Sequence, residues 1–156
     1  MTTRPLFAAL VLAGLTAFAP APLPRSQRGK GDGALSLSEL QGTWTVTKLQ
    51  MTRGNGQLTD SRAQMSQVRI SGDRWSFVYG TGPADVNYTI RVDHRLRPPQ
   101  LDFYRLTSKD TEPYGVGILR RDGDSVQLVY TWGGSRAASF ESPPEGHWLI
   151  TLRRAP

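Results

Sequence analysis

Val86-Asn87-Tyr88-Thr89-Ile90-Arg91-Val92-Asp93 alternates apolar and polar residues without a break. Side chains of an extended strand point to opposite faces in turn. The period therefore puts Val86, Tyr88, Ile90 and Val92 on one face and Asn87, Thr89, Arg91 and Asp93 on the other. Working outward, the same signal recurs between turn residues. Gln67 to Ser71 is joined to Arg74 to Tyr79 by Ser71-Gly72-Asp73, and Gly80-Thr81-Gly82-Pro83 ends that strand. Leu101 to Leu106 follows Arg97-Pro98-Pro99, where proline blocks regular pairing. Tyr114 to Arg121 and Ser125 to Trp132 flank Asp122-Gly123, the strongest hairpin signal in the chain. Gly42 to Met51 opens the series and His147 to Arg154 ends it.

No sustained helical period appears within residues 35–156. Short strands with one apolar face each predict an all-β fold, an eight-stranded antiparallel up-and-down barrel that removes its own edges. Its two ends are marked in sequence. Gly42-Thr43-Trp44 begins the first strand, and Arg154 shares a face with Ile150 and Leu152 in the last. The expectation is that Gly42 admits the chain closely, Trp44 fills the closed end, and one of Arg153 or Arg154, Arg154 by its face, stacks on its indole. Leu35 to Leu40, with Ser36 or Ser38 as cap, predicts one helical turn across that end.

Several of these segments, in this order, resemble an uncharacterised lipocalin-like domain family abundant in planctomycete bacteria. They are Leu40-Gln41-Gly42-Thr43-Trp44, Gly115-Val116-Gly117-Ile118-Leu119 with Asp122-Gly123-Asp124, the Arg136-to-Phe140 loop and Leu152-Arg153-Arg154. The resemblance runs from about Leu37 to Arg154. It implies a lipocalin-like barrel, usually exported, with no established activity. Ala137 stands where that pattern has proline, and the loop at Pro143-Pro144 is longer.

The first residues read differently. Arg4 precedes an apolar run from Leu6 to Phe18, the length of a signal core and short for a membrane span. Ala17-Phe18-Ala19 and Ala19-Pro20-Ala21 are cleavage-like, but proline follows each. Residues 1–21 thus read as an export signal with its cut open, an uncleaved membrane tether being the alternative. Residues 22–34, rich in Pro, Gly and charge, read as a disordered linker. Residues 35–156 form the barrel domain. This organisation predicts a periplasmic or extracellular protein.

Net charge is +6, and the chain has no cysteine. Arg4, Arg25, Arg28 and Lys30 against Asp32 place half of that excess before residue 35. The remaining arginines are scattered among acids, without the basic stripe that nucleic-acid binding needs. No disulfide or thiolate metal site is available. His94 and His147 are each isolated and read as surface residues. Gly123-Asp124-Ser125 and Gly133-Gly134-Ser135 lack the surroundings of a nucleophile elbow or a phosphate loop. The expectation is no catalytic site, no metal and no cofactor.

What remains is the inward face. Alternation puts Trp75, Phe77, Tyr79, Tyr88, Phe103, Tyr114 and Tyr130 inside, together with Val116, Ile118 and Trp132. Lys48 and Arg120 fall on inward registers near a rim. Two functions follow. One is binding of a small apolar or amphipathic molecule in the barrel, with tyrosines orienting it and a cation selecting an anionic head. The other is a cell-envelope protein-interaction module with a self-filled core. It would use the loops Arg53 to Ala63, Arg95 to Gln100 and Ser135 to Gly146.

Overall fold

In the computed structural model, described for residues 35–61, 65–80, 85–107 and 111–156, consecutive antiparallel strands close on themselves. The expected leader and linker lie outside the described residues. One helical turn, α1 (Leu37–Leu40), precedes β1 (Gly42–Thr52), β2 (Leu58–Asp60), β3 (Met65–Ser71), β4 (Arg74–Tyr79) and β5 (Val86–Asp93). β6 (Gln100–Arg105), β7 (Gly115–Asp122), β8 (Ser125–Trp132) and β9 (Trp148–Arg154) complete the order. Each of β3 to β9 pairs with its neighbour, and β1 pairs with both β3 and β9. This is the closed eight-stranded antiparallel barrel that the alternation predicts. β2 is an addition. It forms a short hairpin on the upper part of β1, through Gln50↔Asp60 and Thr52↔Leu58, so part of the expected Arg53-to-Ala63 loop is strand.

The closed end is built as a stack. Leu35, Leu40 and Trp44 are buried in the main core. Trp44 Nε1 donates to the Leu40 carbonyl at 2.7 Å. The Arg154 guanidinium lies 4.6 Å from the Trp44 ring centre and donates to the carbonyls of Gln41 (2.6 Å) and Glu39 (2.8 Å). These carbonyls end α1 and have no partner within the helix, so the arginine supplies one. Gly42 leaves room for this arrangement. Its φ is +111°, and an added Cβ would meet Arg154 Nη1 at 3.0 Å. Gln41 reaches the β3–β4 turn, accepting from Gly72 N at 2.8 Å and donating to its carbonyl at 2.9 Å.

Two registers differ from the simple alternation. In β1 the pairing with β9 passes from Val46↔Leu152 to Lys48↔Thr151, so Thr47 is a bulge. Beyond it Leu49, opposite Ile150, faces the core, and Lys48 turns outward and is exposed. In β7 the whole face is reversed. Cross-strand partners share a face, and Gly115↔Trp132, Gly117↔Tyr130 and Leu119↔Leu128 are the inward pairs. Val116, Ile118 and Arg120 therefore face outward. The cause is volume: a Cβ on Gly115 would overlap the Trp132 ring, and one on Gly117 would lie 2.8 Å from Leu128 Cδ1.

The β8–β9 connection lies against the outer wall. Ala137 and Phe140 bury themselves on Ile118, Val129 and Leu149, with Leu58 alongside. Arg136 fixes the loop, donating to the Leu101 carbonyl at 3.0 Å, to the Gly117 carbonyl at 2.6 Å and to the Asp102 carboxylate.

Two substitutions test these placements. Arg154→Ala is expected to lower stability by about 1–3 kcal/mol, read as a reduced urea midpoint at unchanged slope. Lysine there recovers only part, because it lacks the planar fork. Gly117→Ala should cost about 1–3 kcal/mol through overpacking, while Val116→Ala on the outer face costs well under that. The opposite ranking would restore the simple alternation for β7.

Candidate functional site

Which end of the barrel is open follows from the strand directions. The β3–β4, β5–β6 and β7–β8 turns lie with α1 at the closed end, so the other connections surround the mouth. The interior between them is aromatic. Trp75 on β4 pairs with Tyr88 on β5, and Ile90 beside it pairs with Phe103 on β6. These registers converge Trp75, Phe77, Phe103 and Tyr130 in the barrel centre, each at most 2% exposed. Phe77 meets Tyr130 at 5.7 Å between centroids, and Trp75 meets Phe103 edge to face at 5.5 Å. Trp75 Nε1 is buried without a hydrogen-bond acceptor among the described residues. The deep part of the predicted lining is thus packed ring on ring.

Nearer the mouth the rings are only partly covered. Trp132 stacks on Tyr88 at 4.8 Å and 24° and on Tyr114 at 5.3 Å and 24°. It also meets Tyr130 at 5.0 Å and Phe103 at 5.3 Å. Trp132 is the hub of the site. Its alternation with Tyr130 marked it as inward, but nothing in the sequence singled it out. Tyr114 precedes β7 and reaches the cluster from the rim; the reversed β7 face excludes it from the inward register. Tyr79, opposite Met65 on β3, is 36% exposed at the same end.

Neither predicted cation is at the mouth. Lys48 is turned out by the Thr47 bulge. Arg120 lies on the outer wall, where its guanidinium covers the Phe140 ring at 4.4 Å and donates to Gln127 and Glu141, both at 2.8 Å. The mouth has its own cation. Arg105 pairs with Tyr88 across β5 and β6, so it shares the inward face, and its guanidinium lies 3.8 Å from the Tyr114 ring centre. Extending the Leu101–Phe103 alternation by one step finds it. Among the described residues Arg105 makes no salt bridge.

The phenols here are held neutral. Burial pushes Tyr88 above the usual phenol range, reinforced by Tyr114 and Tyr79 and opposed by Arg105. Burial raises Tyr79 as well. Tyr130 is raised furthest, again by burial first. Their hydroxyls are therefore available as hydrogen-bond donors throughout the neutral range.

His147 departs from the surface role expected of it. It is buried, with Nε2 at 2.9 Å from the Ser135 carbonyl and Nδ1 at 3.4 Å from that of Glu145. Its ring ties the two ends of the β8–β9 loop together. His94 is exposed in the β5–β6 turn. Among the described residues no group of three or more His, Cys, Asp or Glu side chains is placed to hold a metal. Hollows of about 280, 410 and 500 Å³ open on the surface of the molecule. Comparison with family models, curated proteins and solved structures finds no match to this chain.

The raised phenols give a pH dependence. The unfolded tyrosines ionise near pH 10, the folded Tyr79, Tyr88 and Tyr130 only above that. Stability is then full below about pH 10 and falls as pH rises further, since only the unfolded chain gains from ionisation. Tyrosinate absorbance should rise in two stages, and Tyr130→Phe should shrink the later one. A single transition at the ordinary position would mean that these rings are wet.

Proposed function

We propose that the chain is an exported binding protein that holds a small amphipathic anion at the open end of its barrel. Arg105 carries this reading: an exposed guanidinium at the rim of the mouth, without a carboxylate partner among the described residues, stacked on Tyr114 beside Tyr88 and Trp132. The apolar body of the ligand would lie on the partly covered rings, and its carboxylate on Arg105, with tyrosine hydroxyls as further donors. The packed centre limits how deep it goes. Such a ligand rests on Tyr88 and Trp132 and does not thread past Phe77.

A second reading is supported by Leu96, 42% exposed in the Arg95-to-Gln100 loop. It is the envelope interaction module that works through its loops. The Ser135-to-Gly146 segment supports it less, because Ala137, Phe140 and Pro143 are buried.

Laurate and dodecanol separate these readings. Trp132 reports occupancy through its fluorescence. Laurate should bind saturably and at least about tenfold more tightly than dodecanol, the worth of a charge-assisted hydrogen bond. Arg105→Gln should erase that preference, and Trp132→Ala, read by calorimetry because the reporter ring is gone, should weaken both. Equal binding of acid and alcohol, or no saturable change, rejects the mouth as an anion site. Native mass spectrometry of protein from its own host would then show whether a protein partner is retained instead.

A further inference from the structure

We propose that the outer wall carries a separate site for a small aromatic carboxylate, in the hollow between the β5–β6 turn and the loop held by Arg136. The hollow measures about 280 Å³, near the lower end of small-molecule pockets, which span about 300–1,000 Å³. It is lined by Pro98, Pro99, Ala138 and Phe140, with Arg97, Arg120 and Arg121 beside them. Flat apolar walls with a cationic rim suit a ring carrying one negative charge. An ion without an apolar body would leave the walls uncovered, and an apolar body without charge would leave the arginines unanswered.

Each arginine is anchored by part of its fork only. Arg97 Nη1 donates to the carbonyls of His94 and Leu96. Arg121 Nη2 donates to Glu39 at 3.2 Å. Arg120 uses Nε on Gln127 and Nη1 on Glu141. The remaining N–H groups have no partner among the described residues, while the bonds already made fix where they point. A planar donor set oriented in advance is what bidentate carboxylate recognition requires.

Glu141 shows that a carboxylate fits here. Its Oε1 is 2.8 Å from Arg120 Nη1, yet its side chain is 70% exposed. An exposed ion pair of this kind is weak, so an incoming carboxylate with a ring to lay on Pro98 and Ala138 can displace it. Glu141 then acts as an internal competitor for the arginine. This gives the site a signature that a solvated arginine cluster lacks: removing the acid should strengthen binding.

The test is an amide NMR titration of the full chain with benzoate, against acetate and benzyl alcohol. Saturable shifts should centre on Leu119, Arg121, Ser139 and Glu141, with acetate and benzyl alcohol at least about tenfold weaker. Glu141→Gln should tighten benzoate binding severalfold, and Arg97→Gln should weaken it about tenfold. Ala138→Phe, which fills the hollow from an exposed position, should abolish binding while the spectrum stays dispersed. Shifts that do not saturate, that centre on Arg105, Tyr114 and Trp132, or that weaken in Glu141→Gln overturn the proposal. Laurate binding at the mouth is untouched by any of these results, so the two sites fail independently.

Discussion

Closure of the sheet through β1 and β9 is the constraint on which the other placements depend. A small barrel must bring its first and last strands together without leaving an edge to recruit other chains. Here β1 does this with a bulge at Thr47, which lets the lower half present Trp44 and Val46 inward and the upper half Leu49. Without the extra residue, one half of β1 would turn its apolar side chains to water. The bulge also explains why a lysine stands in the middle of a core strand. Lys48 occupies the position where the strand changes phase.

The second constraint is volume. Rings from β4, β5, β6 and β8 converge on a space that closure makes narrow, and protein interiors tolerate neither overlap nor void. β7 resolves this by offering glycines inward, so that Trp132 and Tyr130 lie over backbone at Gly115 and Gly117. That choice has an outward consequence. Ile118, pushed to the other face, becomes the floor of a second small core, and the Phe140 loop is held on it. One pair of glycines thus sets both the packing inside and the surface outside, including the wall on which Arg120 and Phe140 meet.

These two constraints also mark the limit of what could be read from the chain. The strands, the antiparallel order, the closed end and the aromatic interior were legible, because period-two alternation and turn residues are local signals. The β7 face was not. Alternation assigns the inward face to the larger apolar residues, and Val116 and Ile118 outweigh two glycines unless the width of Trp132 is known. Lys48 was misplaced because a bulge has no signature of its own in Thr45-Val46-Thr47-Lys48. β2, Leu58-Thr59-Asp60, is too short for alternation to show. Arg105 stands one step beyond Phe103 on the same alternation, but a charged residue at the end of an apolar strand reads as rim. His147 reads as a surface residue because nothing local tells of a loop folding back over it.

The closed end has one more consequence, a mechanical one. The N-terminal part of β1 and the C-terminal part of β9 are antiparallel neighbours, held by Trp44↔Arg154 and by Ala155 N on the Thr43 carbonyl at 3.1 Å. A force pulling residue 35 away from residue 156 would load these bonds one after another, as in opening a zipper, and not all at once in shear. Arg154, which bonds to both Glu39 and Gln41, is the first clasp such a force would meet.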